Sequence, residues 1–116
     1  MNKFNDDIDQ KKYFGYAHTL DKDDRRLKEL RRQRDEQGFD DSEIWSLDCT
    51  VMSYMLPRLK RVIELRNERF VVSEEDKAEA VELISLVEFF TDVEHDKQKR
   101  ERFLELFNKH FFSLWW

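Results

Sequence analysis

The chain has 116 residues, a formal net charge of −5 and 41% charged residues. Its two glycines and one proline are too few for a sandwich or barrel of many short strands. A single cysteine excludes an internal disulfide and any multi-cysteine zinc site. Ten phenylalanines and three tryptophans argue against a wholly disordered chain. The sequence therefore predicts an all-α protein, with a single domain over residues 1–116 built as a small helical bundle of about four helices.

Hydropathy and charge also limit where the chain acts and what it binds. No run approaches the roughly 18 apolar residues of a membrane span, and the N-terminal segment MNKFNDDIDQ has no apolar signal core. We therefore expect a cytoplasmic protein with no membrane partner. The negative net charge disfavours general nucleic-acid binding.

An irregular N-terminal arm is expected over residues 1–20. This segment has no clean helical period, yet it carries aromatic side chains close together around Gly15: Tyr13, Phe14 and Tyr16. Such a density of aromatic residues is rare in a disordered tail. We therefore expect the arm to lie across the helices.

The first predicted helix covers residues 21–37. Gly38 follows it at the position of a C-terminal glycine cap. Leu27 and Leu30 form its whole apolar stripe. So narrow a stripe predicts a helix at the periphery of the fold.

The second predicted helix is long and covers residues 41–67. Asp40 and Glu43 have the spacing of a capping box at its start. Apolar side chains then recur at helical spacing along one face: Ile44, Val51, Met52, Met55, Leu59 and Val62. Pro57 removes the amide that would bond the Ser53 carbonyl, so we expect the helix to continue through a kink.

Two further helices complete the predicted bundle. The third begins at Ser73, with Asp76 in the capping-box position, and extends to about Thr91. It is apolar most of the way round, which indicates a central position or a face shared with a partner. The fourth covers residues 95–114, and the aromatic C-terminus after it is expected to dock on the body or on a partner.

An interface is expected because some apolar side chains cannot all lie on the helix faces that pack against the core. Two such residues lie on the third helix and two near the C-terminus: Leu86, Phe89, Phe112 and Trp116. Exposed apolar patches of several hundred Å² usually mark interfaces. The sequence therefore predicts a homo-oligomer or a helical partner protein.

Asp48 lies in the middle of the apolar stripe of the second helix on a helical wheel. A buried carboxylate needs a partner or a proton. We therefore predict a buried polar pin, for which His110 is one candidate partner. Donors from Trp45, a tyrosine or the N-terminal arm are alternatives. Such a pin fixes helix register in one interpretation and binds a ligand in the other.

Clusters of cations on the first and second helices have two interpretations. They complement helix dipoles and form a solvated face, or they form an anion site in which guanidinium groups hold phosphate oxygens. A kink at Pro57 would form a corner in the second helix and expose the cations that follow it there. The indole of Trp45 offers a stacking surface. The candidate anion- or partner-binding residues are Arg31, Arg32, Trp45, Arg58, Lys60 and Arg61.

No catalytic set is predicted from the sequence. Cys49 has no indicated base or oxyanion site. Glu79 and Glu82 supply the ExxE half of an all-α nucleotide pyrophosphohydrolase motif, but no ExxD follows. No two histidines have i, i+4 spacing: His18, His95 and His110. We therefore expect no enzymatic activity, no cofactor and no bound metal.

Two segments of the chain carry motifs: GFDDSEIWSLDCTVMSYMLPRLKR, which begins at Gly38, and the C-terminal LELFNKHFFSLWW. Together they resemble a family of small tailed-bacteriophage proteins that has no settled activity. The motif positions are Asp41, Ser42, Trp45, Leu47, Asp48, Pro57, Arg58, Leu59 and Lys60. The resemblance implies a phage or prophage origin, hence the cytoplasm of a host cell, and a helical fold. It implies no reaction.

Three functions are compatible with these features. The first is a non-enzymatic phage accessory protein that binds a host or viral protein, as a host-takeover or anti-defence factor would. The second is a module that sequesters a small phosphate-bearing ligand such as a nucleotide signal. The third is a virion structural component, which would form a tight homo-oligomer.

Overall fold

The structure, a computed structural model, describes residues 14–92 and 95–116. Within these ranges it contains four α-helices and no strand, so the predicted all-α fold is confirmed. We name the helices in chain order: α1 (Arg26–Gln37), α2 (Leu47–Arg69), α3 (Glu74–Phe89) and α4 (Lys97–His110). Single 3₁₀ turns cover Ala17–Thr19, Asp41–Glu43 and Phe111–Ser113. None of the described helices combines the length and the apolar character that a membrane span needs.

The chain divides into two compact units at the start of α2. The first is Met1–Thr50, of which residues 14–50 are described, and the second is Val51–Trp116. The single domain over residues 1–116 stays a prediction. Helix α1 belongs to the first unit, and α3 and α4 belong to the second.

Helix α1 begins later than predicted and ends where predicted. The Asp24 carboxylate accepts the Arg26 backbone N–H at 2.9 Å, while Arg25 at the N-cap position makes no side-chain cap hydrogen bond, and turns precede the helix. At the other end, Gly38 takes a left-handed φ of 86° and its N–H bonds the Arg34 carbonyl. Leu30 is the buried residue of α1, as its narrow stripe predicts.

A buried polar network forms the centre of the first unit. The side chains of Asp40 and Ser42 are almost fully buried. Asp40 Oδ1 accepts hydrogen bonds from the Ser42 N–H, at 2.8 Å, and from the Ser42 hydroxyl. Asp40 Oδ2 accepts one from the Arg34 guanidinium. The Glu43 carboxylate accepts the Asp40 N–H at 2.8 Å, which confirms the predicted capping box, and burial raises the pKa of Glu43.

The N-terminal arm packs on this network through two small residues. The Ala17 N–H donates to the Ser42 hydroxyl at 3.2 Å. Gly15 has a φ of 89°, and a Cβ at this position would lie 2.1 Å from the Ser42 carbonyl oxygen. Both the conformation and the close approach therefore require glycine. Residues 1–13 of the predicted arm lie outside the described part of the chain.

Helix α2 begins after the predicted start of the second helix. The capping box opens the 3₁₀ turn Asp41–Glu43 rather than the α-helix. The Thr50 N–H bonds the Ser46 carbonyl at 3.2 Å, while the Thr50 hydroxyl bonds the Glu43 carbonyl. These bonds join the turn to the first turn of α2. The helix then continues through Pro57 to Arg69, and the kink at Pro57 stays a prediction.

Asp48 is exposed, so the predicted burial of this residue is wrong. Asp48 shares a face of α2 with Met52 and Met55, but the α2 residues that pack against the core begin at Met52, so apolar packing does not extend to Asp48. Asp48 lies in the first turn of α2, where its Oδ1 accepts from the Ser46 hydroxyl at 2.8 Å. The buried carboxylate of the first unit is instead Asp40.

A shared apolar core joins α2, α3 and α4 in the second unit. Its buried members come from all three helices: Leu59, Leu83, Leu86, Val87, Phe103 and Leu106. Partly buried side chains of α2 pack against them: Met52, Met55, Leu56, Val62 and Ile63. Val51, which the predicted stripe included, is exposed. Burying each large apolar side chain contributes about 1.5–3 kcal/mol, so this core dominates the stability of the unit.

Side-chain caps begin both helices of the second unit that follow α2. The Ser73 hydroxyl accepts the Asp76 N–H at 3.1 Å, which confirms the predicted start of the third helix. The Asp96 carboxylate accepts the Lys99 N–H at 2.9 Å at the start of α4. Helix α4 gives way to the 3₁₀ turn Phe111–Ser113 near its predicted end.

A bidentate ion pair connects α3 to α4 beside this core. Arg102 Nε and Nη2 each lie 2.8 Å from an oxygen of Glu82. Hydrogen bonds from Arg102 lower the pKa of Glu82, and the same bonds raise the pKa of Arg102. The planar guanidinium thereby fixes the relative position of the two helix faces.

Replacing Asp40 by Ala should lower the free energy of unfolding by about 3–5 kcal/mol, because Arg34 loses a buried acceptor. Urea denaturation measures this loss. Asp48→Ala is the matched control and should lower it by less than about 1 kcal/mol, since that carboxylate faces solvent. An equal loss in the two variants would contradict the buried network. Asp40→Asn, which keeps one acceptor, should fall between them.

Replacing Glu82 by Gln should make the free energy of unfolding less dependent on pH in the acidic range. Because the pKa of Glu82 is lowered from its ordinary value of 4.5, its stabilisation is fully present above that value. It is lost as the pH falls through the lowered pKa. Urea denaturation at pH 7 and near pH 3 should therefore show a difference between wild type and Glu82→Gln that shrinks in acid. Glu88→Gln, at an exposed position of α3, should show no such pH-dependent difference.

Candidate functional site

A cluster of ionisable side chains joins the first half of α3 to the end of α4. Glu79 Oε1 lies 2.8 Å from His110 Nε2 and 2.7 Å from Lys109 Nζ. Hydrogen bonds from Lys109 and His110 lower the pKa of Glu79, and the bond to Glu79 raises the pKa of Lys109. Glu75 lies 3.8 Å from the same ammonium group. Asp76 completes the cluster, and one donor atom each of Asp76, Glu79 and His110 lie within 4.8 Å of one another.

A cavity of about 180 Å³ lies beside this cluster. Its polar lining comes from all three helices of the unit and from the C-terminal turn: Arg66, Asn67, Asp76, His110 and Ser113. Apolar side chains form the rest: Ile63, Val72, Ala80, Leu83 and Leu114. The Nε atom of Arg66 is buried and has no hydrogen-bond partner among the described residues. This cavity has room for a few water molecules or a small polar ligand.

Aromatic side chains lie exposed at the end of α2 and at the C-terminus. Phe70 and Trp115 meet edge to face with ring centroids 5.9 Å apart. The guanidinium of Arg69 lies 4.6 Å from the ring centroid of Trp116. The exposed fractions of Phe70, Trp115 and Trp116 are 46%, 60% and 56%. We call Arg69, Phe70, Trp115 and Trp116 the C-terminal aromatic surface.

The residues of the predicted interface have different environments. Leu86 is buried in the core of the second unit, so its prediction as an interface residue is wrong. Helix α3 packs against both α2 and α4. Two neighbouring helices bury a larger part of its surface than the single core face that was predicted. Phe89 is half-buried and meets Phe90 edge to face. Phe112 is 89% exposed, and Trp116 belongs to the C-terminal aromatic surface.

His110 and Trp45, which the sequence linked to Asp48, have other neighbours. The side chain of His110 is 15% exposed and bonds Glu79, so the contact found for this candidate partner of Asp48 is one between α3 and α4. Trp45 is exposed and lies edge-on to Tyr16, with ring centroids 6.4 Å apart.

The cations of α1 have local carboxylate partners. Arg32 pairs with Glu29 and with Glu36, one turn before and after it. These bonds raise the pKa of Arg32, and those from Arg32 and Gln33 lower the pKa of Glu29 to about 2. Arg31 is exposed. Arg32 therefore already has two carboxylate partners on its own helix, and the choice between the two interpretations of this cluster stays open.

The cations of the second predicted cluster, Arg58, Lys60 and Arg61, are exposed. The guanidinium of Arg58 donates to the Tyr54 carbonyl at 2.9 Å and lies 3.8 Å from the centroid of its ring. Arg61 pairs with Glu64, and Lys60 points into solvent-accessible space. These residues lie in the second unit and Arg31 in the first. An anion site shared between the two clusters stays a prediction.

No protein-family model, curated protein or solved structure matches the chain. Function is therefore inferred from the geometry of the two features above, the α3–α4 cluster and the C-terminal aromatic surface.

Sequence reasoning missed the partnership of Glu79 and His110. The two residues are 31 positions apart, and spacing rules for ligands apply within a helix or a short loop. Two signals were present, since Asp76 and Glu79 share a face of α3 and His110 interrupts the apolar face of α4. Phe70 was also missed, because its role depends on Trp115 reaching the end of α2.

Replacing Leu86 by Ala should lower the free energy of unfolding by about 2–5 kcal/mol, because it leaves a cavity in the core. Phe112→Ala should change it by no more than about 0.5 kcal/mol, since that ring is almost fully exposed. Chemical denaturation of both variants measures the difference. A larger loss for Phe112→Ala than for Leu86→Ala would reverse the assignment of the two residues.

Proposed function

We propose that the protein acts by binding another protein through its C-terminal aromatic surface, without catalysing a reaction. The observation that supports this proposal is the set of exposed rings held in place by their own neighbours, Phe70 against Trp115 and Arg69 over Trp116. Contiguous exposed aromatic rings are typical of interaction sites. Rings that are already positioned lose little conformational freedom on binding.

The charge of the surface indicates the chemistry of its partner. Arg69 is exposed, and among the described residues its guanidinium lies over the Trp116 ring rather than against a carboxylate. A guanidinium beside an indole accepts a carboxylate from a second molecule while the rings cover apolar atoms. Tryptophan and arginine are also the residue types that contribute most to binding energy at interfaces. The proposed partner therefore presents apolar side chains next to an acidic residue.

The resemblance to tailed-bacteriophage proteins supports a more specific form of the proposal. In this form the chain is a phage accessory factor that acts in the cytoplasm of the host cell, and its partner is a host or phage protein. The small-anion alternative has less support, because Arg32 and Arg61 already pair with carboxylates on their own helices.

A comparison of three baits tests the proposal. Wild type, Trp116→Ala and the control Trp45→Ala are used to capture proteins from a bacterial lysate, and each captured protein is purified. Binary affinity for each bait is then measured by calorimetry. The control replaces the same residue type at an equally exposed position of the first unit. We expect Trp45→Ala to bind like wild type and Trp116→Ala to bind at least about tenfold more weakly.

Two outcomes would contradict the proposal. One is a purified partner that binds wild type and Trp116→Ala equally well, or the absence of any partner that binds in a purified pair. The other is a wild-type oligomer, seen by sedimentation, that Trp116→Ala dissociates. That result would assign the surface to contact between copies, as expected for a virion component.

A further inference from the structure

The α3–α4 cluster contains the donor atoms of a metal site. One imidazole and two carboxylates converge from two helices, with His110 Nε2 and Glu79 Oε1 only 2.8 Å apart. The side chains of Glu79 and His110 are each 15% exposed, so they are largely held in position by the fold. Imidazole nitrogen and carboxylate oxygen together are typical ligands of Zn²⁺ and of related divalent ions.

The charge of the cluster favours an additional cation. Helix α3 contributes three carboxylates, from Glu75, Asp76 and Glu79, whereas Lys109 is the cation that contacts them. The ammonium group bonds Glu79 at 2.7 Å and lies 3.8 Å from Glu75. Lys109 can therefore remain paired with Glu75 when an ion takes its place at Glu79.

The space around the cluster suits an ion with open coordination positions. Zinc ligands lie about 2.0–2.2 Å from the ion, so tetrahedral donors are about 3.4 Å apart. Asp76 is exposed in the first turn of α3, its donor atom lies within 4.8 Å of those of Glu79 and His110, and an exposed side chain is able to change rotamer. Asp76 and His110 also line the cavity of about 180 Å³, which has room for water ligands.

We propose that Asp76, Glu79 and His110 bind a divalent transition-metal ion such as Zn²⁺, with its remaining positions open to the cavity. The His110 ring binds the ion through an unprotonated Nε2, and Lys109 competes with the ion for Glu79. The ion links α3 to α4 across 31 residues of chain. This site is separate from the residues of the C-terminal aromatic surface and does not depend on the function proposed for them.

Calorimetric titration with ZnCl₂ tests the site on the full chain. The protein is first freed of metal with a chelator, and the titration is run at pH 7.5. We expect one saturable site in wild type, with binding at least about tenfold weaker in His110→Ala and in Glu79→Gln. His95→Ala, which removes an exposed histidine elsewhere in the unit, should bind within about twofold of wild type.

Lys109→Met tests the competition between Lys109 and the ion for Glu79. Removal of the competing ammonium should strengthen zinc binding several-fold and should also increase the thermal shift that zinc produces. Should His110→Ala fail to fold, the imidazole resonances of wild type provide the second measurement. Zinc should then shift the His110 signals at lower concentration than those of His18 and His95.

The proposal is overturned by any of three results. The first is no saturable zinc binding by wild type. The second is an adventitious site, recognised by an equal loss of affinity in His95→Ala and His110→Ala. The third is weaker rather than stronger binding by Lys109→Met.

Discussion

The buried carboxylate of Asp40 accepts hydrogen bonds from the Ser42 N–H, the Ser42 hydroxyl and the Arg34 guanidinium, and the first unit depends on it. Through these bonds one side chain connects the last turns of α1 with the 3₁₀ turn that follows. Ser42 extends the connection to the arm, whose Ala17 N–H bonds its hydroxyl. An apolar residue at position 40 could not specify these positions, because apolar packing has no direction whereas hydrogen bonds do. The second unit is held differently, by a core that three helices share.

Helix ends are the part of this fold that the sequence predicts best. Gly38 and Ser73 have the roles that their residue types indicate, and Asp40 and Glu43 form the expected capping box, which opens a 3₁₀ turn rather than α2. Each of these signals operates within four residues, so no knowledge of the tertiary structure is needed to interpret it. With two glycines and one proline in the chain, side-chain acceptors carry most of this information.

Burial was harder to predict, because it depends on neighbours distant in sequence. The helical wheel placed Asp48 on the face of α2 that carries Met52. A wheel does not show where along a helix the packing begins, and the α2 residues that pack against the core begin at Met52. Leu86 was assigned to the surface because one core face was assumed, whereas α3 packs against two helices. Both errors concern the neighbours of the residue in the folded protein. The periodicity of a sequence does not show which elements cover a given face of a helix. The α3–α4 cluster was missed for the same reason, since Glu79 and His110 meet only after the helices pack.

The tryptophans of this chain divide between the two units in a way that makes them optical reporters. Trp45 lies beside Tyr16 in the first unit, while Trp115 and Trp116 lie beside Phe70 and Arg69 in the second. Indole emission responds to exposure and to nearby charge, so single-tryptophan variants follow each unit on its own. Coincidence of the two fluorescence transitions is the standard criterion for cooperative unfolding. The native fluorophores can therefore reveal whether the network around Asp40 and the three-helix core melt as one structure or as two.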